Sequence, residues 1–233
     1  MAKAELQIEN LSAALLSVAG PVSQDGVSVV LTNSGHLFLA EELEEALGCQ
    51  VWFENDFVAL AHGLDCFVDL LQLGGDSKSG AVSAVLGPGS GLGMATILRE
   101  ENCLRVLASE GGHADFAPGS HLESEIWSVL AMDSKYVSWE TVLSGNGLVR
   151  LYEAMCQVWG SKCSNYKAED ITRLGVSLDD PICHQTLETF YGILGSAAGN
   201  FALTVGALGG VYLAGSVSYT HLRAHETLRY RVC

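Results

Sequence analysis

Positive charge is scarce in this sequence. Twelve Lys and Arg residues face 27 Asp and Glu across 233 residues, a formal net charge of −15. A field of that sign repels nucleic acid and anionic membranes, which argues against both as partners. Metal-type cysteine spacing is lacking too. Cys49, Cys66, Cys103, Cys156, Cys163, Cys183 and Cys233 are scattered, with no signal peptide before them. An odd, unpatterned set of this kind reads as reduced thiols in a cytoplasm. No run has the character of a membrane span. The longest apolar stretch, Gly199 to Val217, carries five glycines with Asn200 and Thr204. It predicts a buried helix end followed by a buried strand.

What is present is ordinary for a globular enzyme: 48% apolar and 17% charged residues, in a length that holds one large domain or two small ones. The most informative stretch is Val85-Leu86-Gly87-Pro88-Gly89-Ser90-Gly91-Leu92-Gly93. An apolar run, Ala81 to Leu86, precedes it and reads as a buried strand. Glycines lack a Cβ and permit unusual backbone angles, so the N–H groups of such a loop can turn toward an anion. The loop is neither a P-loop, since no Lys follows the last Gly, nor the Gly-x-Gly-x-x-Gly of dinucleotide folds. A tight strand-to-strand turn is the alternative.

Coarse patterning gives a first unit of strands Ala13 to Ala19 and Gly26 to Leu31, read as a hairpin across Gly20-Pro21 and Gln24-Asp25-Gly26. A helix is expected over Ala40 to Leu47, stopped by Gly48, then a short strand Val51 to Phe53 whose end delivers Glu54, Asn55 and Asp56. Carboxyl ends of strands are where ligands sit in open α/β sheets. A three-strand meander follows over Ser79 to Leu86, Met94 to Arg99 and Leu104 to Ala108. Helices are then expected at Ser120 to Met132, Trp139 to Leu143, Gly147 to Trp159 and from Ile182 onward.

Taken alone, the polar residues have plain readings. Asp56 is either a helix cap or a base. His113 is a satisfied core histidine, a residue reading hydroxyls, or a ligand with Asp115 and His121, although that spacing is not tight enough for a metal site. Glu140 is by default a helix-surface carboxylate.

Together, Asn55-Asp56-Phe57, the Gly87 to Gly93 loop, Glu110-Gly111-Gly112-His113-Ala114-Asp115-Phe116-Ala117-Pro118, Glu140 before Leu143-Ser144-Gly145, and Gly209 to Gly215 form an ordered series. The series resembles the bacterial-type glucokinases, sugar kinases of the actin/hexokinase fold, from about Ala13 to Gly215. The resemblance implies an α/β fold, a two-domain actin-like (ribonuclease H-like) architecture incomplete at its N-terminus. It implies ATP-dependent phosphorylation of glucose to glucose 6-phosphate in the first step of glycolysis, with ATP and Mg²⁺ as cofactors and a homodimer. In that reading Asp56 is the catalytic base, and Asn55, Glu110, His113 and Glu140 hold the sugar. Gly87, Gly89, Ser90, Gly91 and Gly93 cradle the phosphates. With so acidic a chain, ATP is held by local N–H groups and a cation rather than by global attraction. The same resemblance divides the chain into 1–66, the remainder of a small domain, and 67–217, a larger one.

Both ends depart from the family pattern. The Asp-x-Gly-Gly-Thr loop of complete members is not found, so the chain is expected to begin inside the first domain. After Ala214-Gly215 the expected Gly is Ser216, which puts the adenosine pocket near Gly209 and Gly210 in question. Residues 218–233, with three arginines against one glutamate, read as an aberrant tail. Three competing readings remain: a kinase of another hexose, including one of the repressor/open-frame/kinase group whose Cys-rich zinc loop does not follow His113; a non-catalytic sugar-binding remnant; and a structural dimerisation module.

Overall fold

A computed structural model describes residues 11–31, 35–67, 70–101 and 103–215. They divide into two compact units, one drawn from Met1–Val68 and one from Asp69–Cys233. Thr32, Asn33, Asn102 and the tail at 218–233 lie outside the described residues.

In the first unit, β1 (Ala13–Val18) pairs in parallel with β4 (Gln50–Asn55), in a register that sets Leu16 beside Phe53 and Val18 beside Asn55. A separate antiparallel pair joins β2 (Ser28–Val30) to β3 (Leu37–Leu39). The expected β1–β2 hairpin is therefore incorrect. The connection makes its own reversal instead: Ser23 N–H donates to Ser28 O and Gly26 N–H to Ser23 O, both at 2.9 Å. Gly26 holds a left-handed φ of 73° and its carbonyl accepts from Phe53 N–H at 2.7 Å. The turn so docks on β4, and β1 takes its partner from beyond the helix. That helix, α1 (Ala40–Leu47), begins with Glu41 and Glu42 and ends at Gly48 with φ 69°, as expected. Val29, Ala40, Val51 and Phe53 form the core of this unit. Strand β4 runs two residues beyond the expected Phe53, directly into α2 (Asp56–Gly63).

The second unit carries a sheet of order β7-β6-β5-β8. Strands β5 (Ser83–Pro88), β6 (Leu92–Glu100) and β7 (Cys103–Ser109) form the expected meander, and β8 (Val211–Leu213) lies parallel to β5. Every residue of β5 is buried, since strands flank both its edges and helices pack on its face. Helices α3 (His121–Asp133), α4 (Trp139–Val142), α5 (Gly145–Val158), α6 (Ala168–Val176) and α7 (Pro181–Val205) build the rest. Their starts follow capping rules. Ser120 accepts from Glu123 N–H, Ser138 and Thr141 form a reciprocal capping box, and Asp180 caps Ile182 and Cys183 with Pro181 in the first turn. Among the described residues no helix is long and apolar enough to cross a membrane. Gly206, at φ 65°, closes α7 before β8, the order expected, but the expected burial does not hold: Leu203 and Leu208 are exposed and β8 is only half-buried.

The sequence pattern predicts no helix at α6, because an internal glycine weakens it. Gly175 is needed there by contact: a Cβ would stand 2.7 Å from Cys183 O and from a Leu187 methyl. Gly→Ala inside a helix is normally stabilising, but Gly175→Ala is expected to cost about 1–3 kcal/mol in urea unfolding. A gain in stability would refute the close α6–α7 contact. The buried Cys183 thiol is pushed up to about 12, chiefly by burial and then by Asp180, and Cys163 to about 11, again chiefly by burial. Thiolate is the reactive form. Iodoacetamide at pH 8 is therefore expected to label exposed Cys66 and Cys103 well before Cys163, and Cys183 only after denaturation. Peptide mass spectrometry of the native chain reads the order, and early labelling of Cys183 contradicts it.

Candidate active site

Two groups of the residues singled out in the sequence occupy the two units. In the first, Asn55 and Asp56 stand at the junction of β4 and α2. Asn55, not Asp56, is the cap: its Oδ1 accepts from Phe57 N–H at 2.9 Å and Val58 N–H at 3.2 Å. Asp56 is the first helical residue, exposed, with Oδ1 accepting from Phe57 N–H at 2.9 Å. The cap role weighed for Asp56 belongs to its neighbour, and the Asp56 carboxylate sits beside the positive end of a helix.

In the second unit, the Gly-rich segment is the β5–β6 turn. Gly87 faces Gly93 and Pro88 faces Leu92 in the ladder, leaving Gly89, Ser90 and Gly91 as the tip. The backbone from Gly87 to Gly93 contains no positive φ. Left-handed freedom therefore does not explain these glycines. At Gly91 the reason is proximity, because a Cβ there would collide with Glu140 Oε2. Within the tip, Gly89 N–H donates to Gly91 O at 2.8 Å, and Gly89 O accepts from Gly145 N–H at 2.8 Å. Leu92 N–H donates to Glu140 Oε2 at 2.8 Å. Ser90 and Gly91 are left as the tip residues whose N–H has no partner among the described residues, and Ser90 is exposed.

The Glu110–Pro118 motif reaches the same place through a backbone crossing. Trp139 N–H donates to Ala114 O at 3.0 Å and Phe116 N–H to Val137 O at 2.9 Å, with the Phe116 and Trp139 rings 5.3 Å apart. This pairs the strand-like 114–116 with 137–139 and sets His113 next to Glu140. His113 Nε2 lies 3.7 Å from Glu110 Oε2, and Nδ1 lies 3.9 Å from Glu140 Oε1. Glu110 and His113 side chains are 84% and 59% exposed, whereas Glu140 is recessed at 34%. His113 is thus not a core histidine. Gly111 and Gly112 matter because their turn lies on β6: a Cβ on Gly112 would strike Leu92 O, and one on Gly111 would stand 2.9 Å from Met94 Sδ. Gly209 and Gly215 are likewise positions of close approach, against Ala81 O and Pro88 O.

Three solvent-accessible polar groups beside a tied Gly-rich turn are equipped to bind a polyhydroxylated ligand next to an anion. A glucokinase family model matches residues 1–231. The chain belongs to the glucokinase family. The match takes in most of the segment that the sequence pattern sets apart as an aberrant tail. The glucokinase of Hahella chejuensis is 35% identical over 224 residues, covering 94% of this chain and 69% of the relative. A second relative, the glucokinase of Chromobacterium violaceum, is 37% identical over 218 residues, or 92% of this chain and 62% of its own length. The chain therefore spans about two thirds of the length of the curated glucokinases it matches. Among solved structures, a glucokinase from an Antarctic psychrotroph superposes with a TM-score of 0.78 at 34% identity, over 92% of this chain and 67% of that one. A Streptomyces griseus glucokinase of the repressor/open-frame/kinase family, solved with glucose and AMPPNP, shares the fold at a TM-score of 0.65 and 20% identity, over 91% and 68% of the two chains. The expected α/β hexokinase-type fold and hexose phosphotransferase family are thereby shown.

Two features escaped the sequence reading. The bond from Leu92 N–H to Glu140 spans 48 residues and has no local signal. The capping role of Asn55 had one, since Asn is among the best N-caps. Asn55→Ala is expected to lower stability by about 1 kcal/mol and Asn55→Asp by only a few tenths, read from urea midpoints. An unchanged midpoint for Asn55→Ala would return the cap to Asp56.

Proposed function

We propose that this member of the glucokinase family transfers the γ-phosphoryl group of ATP to glucose, giving glucose 6-phosphate and ADP. The observation that carries the reading is the Glu110–His113–Glu140 group joined by a direct hydrogen bond to the Gly89–Leu92 turn. Sugar-reading groups and a candidate phosphate loop are thereby parts of one local structure. The glucose and AMPPNP held by the Streptomyces griseus relative support the same substrate pair.

In this reading Glu110, His113 and Glu140 take hydroxyls of the pyranose, and Asn55 offers its amide nitrogen while its oxygen caps α2. The N–H groups of Ser90 and Gly91, with the Ser90 hydroxyl, face phosphate oxygens. Gly87, Gly89 and Gly93 serve the shape of the turn rather than donating to the ligand. Asp56 is the base. The attacking sugar oxygen forms its bond to the γ-phosphorus as the bond from that phosphorus to the bridging oxygen breaks. ADP leaves, and the hydroxyl proton passes to the Asp56 carboxylate. Positioning supplies most of the acceleration in such a transfer.

No group of three His, Cys, Asp or Glu side chains among the described residues is arranged to hold a metal ion. Mg²⁺ with ATP does not call for such a cluster, since it is held by one or two carboxylates together with phosphate oxygens and waters. A cytoplasmic, homodimeric enzyme completes the proposal.

Asp56→Asn separates chemistry from binding. Turnover, followed as ADP formation in a coupled assay, is expected to fall by about 10²–10⁴-fold, with the glucose Kd from calorimetry nearly unchanged. Retained turnover removes Asp56 as base. Glucose binding with no turnover in the parent protein would favour the sugar-binding remnant.

A further inference from the structure

We infer that Glu140 is a positioning residue for the phosphate loop, in addition to any contact it makes with the sugar. The inference rests on the reading of Gly89–Gly91 as that loop, and it assigns to one carboxylate a task in each half of the substrate pair.

The turn at the end of β5 and β6 has three tertiary ties. Gly145 N–H, at the start of α5, donates to Gly89 O. Leu92 N–H donates to Glu140 Oε2. Gly91 lies so close beneath that same oxygen that a side chain there would push the Glu140 carboxylate out of place. All three come from one short segment, 140–145, which is itself braced: Ser144 Oγ donates to Glu140 O at 3.0 Å and accepts from Gly147 N–H at 2.9 Å. Residues 89 and 92 are thus pinned from a single platform, and between them stand Ser90 and Gly91, whose N–H groups are available to an anion. Pinning both ends fixes the direction of those two groups before any ligand arrives, and preorganised donors cost no reordering on binding.

Glu140 performs this with one oxygen only. Oε1 faces His113 at 3.9 Å, on the side where Glu110 and His113 are open to solvent. A backbone N–H held by a carboxylate makes a stronger bond than one held by a neutral acceptor. Loss of the acceptor leaves Leu92 N–H, on a buried residue, without a partner.

Three variants test this: Glu140→Ala removes both oxygens, Glu140→Gln keeps an acceptor for Leu92 N–H but replaces the other oxygen by NH₂, and Glu110→Ala alters only the sugar side. Two readouts are taken without glucose, namely amide hydrogen exchange at Leu92 by NMR and the Kd of AMPPNP by calorimetry. Expected for Glu140→Ala is loss of Leu92 protection and AMPPNP binding weakened about tenfold or more. Glu140→Gln is expected to retain both within about threefold of the parent while losing glucose affinity. Glu110→Ala is expected to leave both readouts alone. Three results overturn the inference: unchanged Leu92 exchange in Glu140→Ala; lost protection with unchanged AMPPNP affinity; or equal weakening by Glu110→Ala. Absence of AMPPNP binding by the parent protein overturns both this inference and the loop assignment, whereas the first three leave the glucokinase reading standing.

Discussion

The candidate site in the larger unit depends on β5, a strand buried along its whole length. Its two edges are hydrogen-bonded to β6 and β8, and helices cover its face, so it has almost no freedom to shift. A strand fixed in this way fixes where its turn emerges. The tip at Gly89–Gly91 is placed by the ladder pairs Gly87–Gly93 and Pro88–Leu92, not by any property of the tip itself. A register slip of one residue would move Leu86 to the opposite face and break the core packing and the turn together.

From that fixed turn the site is assembled by backbone, and only then by side chains. The 114–116 segment crosses 137–139 through two main-chain hydrogen bonds, and buried Phe116 and Trp139 pack at the crossing. Residues more than twenty positions apart, His113 and Glu140, become neighbours as a consequence. The helix caps extend the same logic. Ser138 and Ser144 begin α4 and α5 at defined points, and the platform between them presents Glu140 and Gly145 to the turn. Polar groups on such rigid junctions hold their geometry without a ligand, which is what a transfer reaction limited by positioning requires.

Much of this was legible in advance where one local cue dominated. The acidic first turn and Gly48 delimit α1, and the helix expected from Ile182 begins one residue earlier, at Pro181 behind the Asp180 cap. The meander follows from apolar runs broken by Gly and by Glu100-Glu101. The first-unit hairpin is not formed, although two adjacent apolar strands with a Gly-Pro between them satisfy the local rule equally well. The choice between β2 and β4 as the partner of β1 is made by burial of Leu16, Val51 and Phe53 against α1. Helix α6 has no clear sequence signal because Gly175 reads as a breaker in sequence and is a contact in space.

By itself the sequence determined the family, the order of its motifs and the chemical types available: carboxylates, an imidazole, an amide and a Gly-rich turn in an acidic chain. These are properties of residue identity and of spacing along the chain. Only the tertiary structure decided what each does locally. It made Asn55 rather than Asp56 the cap, set Gly91 against the Glu140 carboxylate, and divided the two oxygens of Glu140 between Leu92 and His113. Those outcomes depend on distances between segments far apart in the chain, and such distances are set by core packing and strand register rather than by any local pattern.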